Sequence, residues 1–247
     1  MDPTDQDGPV LPGPALMHQW WRDLTFLHWR VDADRVAPLL PAGTRPDVHD
    51  GSSWVGLIPF RLTDAGFGRG PALPYVGTLA ETNVRLYSVD ADGRPGVVFR
   101  SLDASRLAFV LGARAALGLP YVWARASVAW DGDVVTYRSS RRWPGPRGPR
   151  GASVHAVVRP GSETVAGDPL ASFLTDRWAL HARRLGRTLR LPNTHALWSL
   201  RSAELLELDE TVLAAAGLPG LSARPPDSVL FSDGLQARFG GPSVVRG

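Results

Sequence analysis

The stretch Glu81-Thr82-Asn83-Val84-Arg85-Leu86-Tyr87 is the most informative part of this 247-residue sequence. Polar and apolar side chains alternate along it, and a period of two is typical of a β-strand. Glu81, Asn83, Arg85 and Tyr87 therefore share one face. In an ordinary sheet that polar face contacts water, whereas in a barrel it can line a ligand cavity. The alternation is compatible with both arrangements.

The segments around this strand predict a chain rich in short strands. Turn residues, such as Asp92-Gly93 and Asp131-Gly132-Asp133, separate them and favour hairpins. Strands are predicted at 23–31, 53–62, 81–87, 96–103, 121–130 and 134–140, with a strand pair within 228–239. Helices are predicted after an Asp34 cap, at 105–117, from an Asp168 cap to about 185, and at 209–216. This order predicts an α+β fold, mainly an antiparallel β barrel or sandwich.

No repeat and no linker divides the chain, so we expect one domain at 16–240. The Pro- and Gly-containing residues 1–15 predict a flexible N-terminal tail, and residues 241–247 a C-terminal tail. Residues 143–151 are rich in Pro, Gly and Arg and predict a loop, either a lid or a plain surface connection.

The composition excludes several kinds of chemistry. The 27 basic side chains are all arginine, and lysine and cysteine are both absent. No side-chain amine can form a Schiff base, no thiolate can attack, and no disulfide or iron–sulfur cluster can be held. Catalysis would depend on carboxylate, imidazole, hydroxyl or arginine groups.

Motifs for cofactors and metals are also missing. The six histidines are scattered without zinc-type spacing, and Gly66, Gly68 and Gly70 do not form a dinucleotide fingerprint. No Gly-x-Ser-x-Gly elbow occurs. We therefore predict no cofactor and no metal.

Charge and hydropathy suggest a small-molecule ligand rather than a macromolecular partner. The net charge is only +3, so nucleic-acid binding is disfavoured, although arginine clusters at 138–150 and 183–190 could attract an anionic ligand. No signal peptide or membrane segment is recognisable, which predicts a cytoplasmic protein. A homo-oligomer is compatible with the sequence.

The predicted strand faces provide a candidate site. A second strand places Tyr121, Trp123, Arg125 and Ser127 on one side. If both strands face one cavity, Glu81 is a general acid/base, Tyr121 donates to an oxyanion, and Asn83 orients the ligand. The further substrate-binding candidates are Arg85, Arg125, Arg100, His28 and Trp123. For His28 the alternative is a hydrogen-bonded core residue, and for Arg100 an ion-paired strand residue.

Several motifs in this order resemble the YqjF-like family of unknown function. The resemblance covers about residues 17–240 and is carried by these stretches: Gln19-Trp20 to Phe26-Leu27-His28-Trp29, Leu39-Leu40-Pro41-Ala42-Gly43, Trp54-Val55-Gly56-Leu57-Ile58-Pro59-Phe60, Glu81 to Tyr87, Gly96 to Asp103 and Gly118-Leu119-Pro120-Tyr121. That family is similar to the acetoacetate decarboxylase-like superfamily. The resemblance implies an antiparallel β barrel with outer helices and a central cavity.

The sequence departs from acetoacetate decarboxylases at the residues that carry out their chemistry. In acetoacetate decarboxylases a lysine pair follows a Gly-aromatic-Pro turn, and a lysine forms the Schiff base. The matching turn here is Gly118-Leu119-Pro120, and Tyr121 and Val122 follow it. Lysine-dependent decarboxylation is thus excluded, while the cavity and Glu81 carry over.

The sequence as a whole predicts a small-molecule enzyme without a Schiff base, cofactor or metal. Its substrate would be a carbonyl or carboxylate compound of secondary metabolism. The reaction would be a dehydration, isomerisation, cyclisation or lysis, as in a lyase or isomerase. The alternative is a non-catalytic binding protein that uses the same cavity.

Overall fold

The computed structural model describes residues 8–142 and 151–246, which form thirteen strands and four short α-helices. The strands are β1 (Met17–Val31), β2 (Thr44–Pro46), β3 (Ser53–Phe67), β4 (Leu79–Asp90), β5 (Pro95–Ala104), β6 (Tyr121–Asp131), β7 (Val134–Arg141), β8 (Ser153–Thr164), β9 (Ala179–Arg184), β10 (Arg187–Thr194), β11 (Arg201–Glu210), β12 (Ser228–Phe239) and β13 (Ser243–Val244). The helices are α1 (Ala33–Val36), α2 (Leu107–Leu117), α3 (Pro169–Thr175) and α4 (Val212–Ala215).

All thirteen strands belong to one sheet. Its order is β13-β10-β9-β5-β6-β7-β8-β11-β12-β1-β3-β4-β2, and two further pairings join β4 to β5 and β10 to β12. Only β5–β6 and β5–β9 are parallel. The predicted α+β chain with a mainly antiparallel sheet and few helices is confirmed in these described regions.

The described residues form two hydrophobic cores, and the central strand β4 contributes to both. β4 shows this clearly, because nearly every one of its residues is buried. Its Tyr87 side contacts a core with Phe26, whereas Val84 and Leu86 belong to a second core with Trp29. The polar side chains of β4 are consequently enclosed by protein rather than by bulk water.

A buried polar cluster fastens β4 and β5 to β9. The Ser88 hydroxyl lies 2.8 Å from Nδ1 of His181 on β9. Asp90 binds Arg94 at 2.8 Å across the turn of the β4–β5 hairpin. Burial lowers the pKa of His181 to about 4, so this imidazole is neutral at neutral pH. Because Ser88 is completely buried, we assign this cluster a structural role.

The Asp168 cap is confirmed, but the helix that it begins is much shorter than predicted. The Asp168 carboxylate accepts from the amides of Leu170 and Ala171, and α3 then ends at Thr175. Residues 179–194 form the β9–β10 hairpin instead. Leu185 and Gly186 both have positive φ, which suits a type I′ turn. Gly186, which directly follows the predicted end of the helix at about 185, is part of a hairpin turn instead.

Other predicted boundaries also need correction. Asp32, not Asp34, precedes α1, and β1 starts six residues before the predicted strand. The predicted helix at 209–216 is reduced to α4, because β11 continues to Glu210. Residues 228–239 form one long strand rather than a pair. The strands β8 to β11 were not predicted.

The chain ends and the arginine-rich loop are only partly described. Gly8 donates a backbone hydrogen bond to the carbonyl of His195, whereas residues 1–7 and most of the 143–151 loop lie outside the described residues. Within the described ranges no helix is long and apolar enough to span a membrane.

The contact between β1 and β12 depends on Gly234. This residue pairs with Arg22 and has a φ of +122°. A Cβ atom there would lie 1.9 Å from the carbonyl oxygen of Trp21. Both the backbone angle and the close approach thus require glycine.

We expect Gly234→Ala to lower the free energy of unfolding by more than about 3 kcal/mol, because strain and a backbone clash combine. Gly132→Ala is the matched control, since Gly132 has a φ of +59° with nothing within 4 Å of its Cβ position. The control should lose only about 1 to 2 kcal/mol. Urea unfolding of both variants measures the difference. Equal losses would contradict the clash.

Candidate active site

A cavity of about 490 Å³ lies on the Tyr87 side of β4. This size is typical of small-molecule sites. Its walls are mainly apolar, and the aromatic lining residues are Trp21, Phe26, Phe60, Phe67, Phe99, Phe109, Tyr121, Trp198 and Phe239. Helix α2 contributes the small residues Ala108, Gly112 and Ala116. The polar lining residues are Gln19, Glu81, Asn83, Arg85, Thr175, Arg177, Asn193 and His195.

The strand register brings Glu81 and Tyr121 together. β4 and β6 both pair with β5, and Leu102 on β5 is opposite Asn83 on one side and Tyr121 on the other. The Tyr121 hydroxyl donates to Oε2 of Glu81 at 3.2 Å. The two predicted catalytic groups are therefore in direct contact within the cavity wall.

Burial keeps both groups protonated at neutral pH. Glu81 is 3% exposed. Desolvation raises its pKa to about 8; the Tyr121 hydrogen bond opposes the shift and the Asp103 charge adds to it. Burial and the neighbouring Glu81 also raise the pKa of Tyr121 well above its usual value. At pH 7 roughly ten Glu81 side chains are neutral for each ionised one.

Arg85 is the cationic group of the cavity, and protein oxygens hold it in place. Its Nε donates to the Tyr87 hydroxyl at 3.0 Å, and Nη2 donates to the carbonyl of Leu174 at 2.7 Å. Within residues 8–142 and 151–246 no carboxylate forms a salt bridge with Arg85. Its charge is available for an anionic group of a ligand.

His28 supports this arginine rather than lining the cavity. Tyr87 donates its only hydroxyl proton to Leu174 at 2.9 Å. The 2.6 Å contact between Nε2 of His28 and the Tyr87 oxygen consequently assigns the proton to Nε2. Burial, and secondly Arg85, lower the pKa of His28 well below its usual value. His28 does not line the cavity and is a hydrogen-bonded core residue, which was the alternative to its predicted binding role.

Three more predicted residues lie outside the cavity. Arg100 donates to the carbonyls of Ala216 and Leu39 at 3.0 and 3.1 Å. Trp123 packs under Arg142 at 5.0 Å, and Arg125 is exposed. β6 pairs with β5 at residues 121–123 and with β7 from Ala124 onward, where exposed positions begin. A shared strand face therefore does not mean a shared site.

Five polar lining residues were not predicted from the sequence: Gln19, Thr175, Arg177, Asn193 and His195. Gln19 precedes the predicted first strand. Thr175 and Arg177 lie in the stretch predicted as a helix, whereas Asn193 and His195 follow it, in or beside the second strand of the β9–β10 hairpin. Arg177 is already neutralised by Asp47 and lies 4.2 Å above the Phe173 ring. Burial lowers the pKa of His195. Alternation across a hairpin at 179–194 is the signal that would have found Asn193.

No metal site is formed by the described parts of the chain. Among them no group of three His, Asp or Glu side chains is placed to bind an ion. The chemistry that the described lining residues offer is proton transfer by Glu81 and Tyr121, and anion binding by Arg85.

Comparison with known proteins connects this geometry to a family. The DUF2071 family model, described as an uncharacterized conserved protein, matches residues 18–236. The uncharacterized protein YqjF of Bacillus subtilis (strain 168) is 34% identical over 211 residues, or 85% of each chain.

Solved structures with low sequence identity share the fold. Acetoacetate decarboxylase from Legionella pneumophila has a TM-score of 0.63 at 14% identity and covers 100% of this chain and 98% of its own. The enduracididine biosynthesis enzyme MppR complexed with pyruvate has a TM-score of 0.62 at 15% identity over 97% of each chain. An acetoacetate decarboxylase-like enzyme from Sphingomonas wittichii RW1 has a TM-score of 0.61 at 16% identity, covering 97% and 100%. The chain thus belongs to the DUF2071 family, as its resemblance to YqjF-like proteins implied, and has a fold similar to that of acetoacetate decarboxylase-like enzymes.

Proposed function

We propose that this protein is a small-molecule enzyme that performs acid/base chemistry on a carbonyl or carboxylate compound. Glu81 is the general acid/base. When the substrate binds, the Tyr121 hydroxyl turns from Glu81 and donates to the oxyanion that develops on the substrate. The observation that carries the proposal is the buried Glu81 carboxyl, held 3.2 Å from Tyr121 in a largely apolar cavity. A carboxyl group in such surroundings is a common feature of active sites.

A pKa of about 8 for Glu81 suits a group that both donates and accepts a proton near neutral pH. In a dehydration, the Glu81 carboxyl protonates the departing hydroxyl, and the C–O bond breaks. The carboxylate then accepts a proton from the neighbouring carbon, the C=C bond forms, and water leaves. Isomerisation, cyclisation and lysis need the same proton transfer at an activated carbonyl.

Arg85 binds the anionic group of the substrate in this proposal. Nε and Nη2 are occupied by Tyr87 and Leu174, so the guanidinium is fixed before the substrate arrives. Such preorganisation reduces the entropy lost on binding. Asn83, between Glu81 and Arg85 on β4, orients the substrate.

The fold supports an enclosed site of this kind. The return pairings of β4 with β5 and of β10 with β12 support the predicted barrel around the cavity. The MppR structure holds pyruvate, which favours a carbonyl compound here as well. The lysine-free sequence requires a route without a lysine Schiff base.

Glu81→Gln is expected to slow turnover by about 10² to 10⁴-fold, because the amide cannot transfer the proton. Tyr121→Phe is expected to slow it by about 10²-fold through the lost oxyanion donor. A panel of hydroxy and keto carboxylates is incubated with the protein in D₂O. Mass spectrometry then reports deuterium uptake or loss of water.

Glu163→Gln is the control, because Glu163 is an exposed β8 carboxylate that does not line the cavity. It should retain full activity. Unchanged turnover by Glu81→Gln would refute the assigned role. A ligand that binds without any conversion would favour the non-catalytic binding protein.

The pH dependence of stability tests the protonation state of Glu81. Its pKa is raised from 4.5 to about 8 in the folded protein, so its stabilising contribution is complete below about pH 4.5 and is lost as the pH rises through 8. Relative to Glu81→Gln, the wild type should lose roughly 3 to 5 kcal/mol between about pH 5 and about pH 9. Urea unfolding of both proteins across this range measures the difference, and parallel pH curves would contradict the raised pKa.

A further inference from the structure

Three carboxamide side chains line the cavity without a hydrogen-bond partner for their oxygens. They are Gln19 on β1, Asn83 on β4 and Asn193 on β10, with exposures of 6%, 5% and 6%. The oxygen of each is buried and accepts no hydrogen bond in the structure, which describes residues 8–142 and 151–246. All three belong to the wall of the same cavity.

Such groups reduce the stability of the free protein. A buried polar group without a partner costs about 1 to 3 kcal/mol, and native proteins contain few of them. Each carboxamide offers one acceptor and two donors. Groups of this kind in a cavity wall fit a ligand that supplies the missing partners.

The three groups are distributed over the cavity rather than placed around one point. Asn83 lies between Glu81 and Arg85, whose Cα atoms are about 13 Å apart along an extended strand. Gln19 and Asn193 flank β12, where they pair with Ala237 and Phe239. A ligand that contacts all three carboxamides must therefore carry polar atoms at several separated positions.

The rest of the wall indicates the body of that ligand. Trp21 and Trp198 stack at 5.8 Å with 8° between their planes, and Phe26 meets Trp198 edge-on at 5.2 Å. Aromatic walls of this kind favour a flat apolar molecule.

The cavity is too large to be filled by a single small keto acid. The cavity of about 490 Å³ corresponds to about sixteen water molecules at liquid density. A keto acid with about six non-hydrogen atoms would leave more than half of this space unfilled, if each atom takes no more volume than a water molecule.

We propose that Gln19, Asn83 and Asn193 are ligand-binding residues, and that the cavity takes an aromatic or polycyclic compound with several hydroxyl or carbonyl oxygens. This inference rests on the proposed function for the reacting end at Glu81, and it adds the substrate class. The carboxamides bind the oxygens at the edge of the ring system, and the aromatic side chains contact its faces.

Calorimetric titration of the full chain with three matched probes tests the class. The probes are 2,7-dihydroxynaphthalene, 2,7-dimethylnaphthalene and naphthalene-2-carboxylate. We expect the dihydroxy probe to bind at least about tenfold more tightly than the dimethyl probe, because a site built for hydroxyl groups rejects the analogue that lacks them. Gln19→Met, Asn83→Leu and Asn193→Leu should each remove most of this preference.

Gln236→Met is the matched control, since Gln236 lies on the neighbouring β12 and does not line the cavity. It should leave the preference unchanged. Equal affinity for the dihydroxy and dimethyl probes would overturn the proposed class. The carboxylate probe measures the separate contribution of Arg85, which lines the same cavity.

Thermal unfolding without ligand gives a second, independent readout. Replacing an unpartnered carboxamide with an apolar group of similar size removes a desolvation cost. The Tm of the three cavity variants should therefore stay the same or rise, as expected for residues kept for binding at the expense of stability. A lower Tm in all three would show a structural role and refute the proposal.

The two proposals can fail separately. Glu81→Gln should still bind the dihydroxy probe, because the carboxamides remain. If that variant binds the probe but keeps full turnover, the acid/base role is wrong and the binding residues stand. Loss of probe preference in the Glu81 variant alone, with the carboxamide variants unaffected, would overturn the binding inference.

Discussion

The burial of both faces of β4 is the constraint on which the rest of the structure depends. In a strand with one solvent-exposed face, polar side chains can be hydrated by bulk water. In β4 they must instead contact protein partners or line a cavity. The Tyr87 hydroxyl finds protein partners, because it forms hydrogen bonds with His28 and with the carbonyl of Leu174. Asn83 lines the cavity, and its side-chain oxygen has no hydrogen-bond partner. Glu81 lines the cavity and also accepts a hydrogen bond from Tyr121. Burial of β4 also raises the pKa of Glu81 and leaves the Asn83 side-chain oxygen without a hydrogen-bond partner.

Strand alternation allowed part of the site to be predicted. Glu81, Asn83 and Arg85 line the cavity together because a period of two is a local property of an extended chain. The contact between Glu81 and Tyr121 depends on how β4 and β6 flank β5, and alternation alone cannot specify such pairing. Arg125 shows the limit, because one strand can leave the cavity along its length.

The hairpin at 179–194 was not predicted, because helix signals lie on both sides of its first strand. Asp168, Pro169 and Gly186 are correct helix signals in isolation, and α3 does use the first two. Beyond Thr175, tertiary pairing outweighs helix propensity, because β9 and β10 complete the sheet next to β5 and β12. Asn193, and the polar residues beside the hairpin, were missed for the same reason.

The face of α2 that meets the cavity includes a row of small residues. Ala108, Gly112 and Ala116 follow one another at intervals of one helical turn along this wall. A Cβ atom added at Gly112 would meet nothing within 4 Å, although glycine within a helix costs about 1 kcal/mol relative to alanine. Larger side chains at these positions would shorten the cavity and would not require any strand to move. Single substitutions on one helix can therefore change the length of the cavity, while Glu81 and Tyr121 stay in place on the strands β4 and β6.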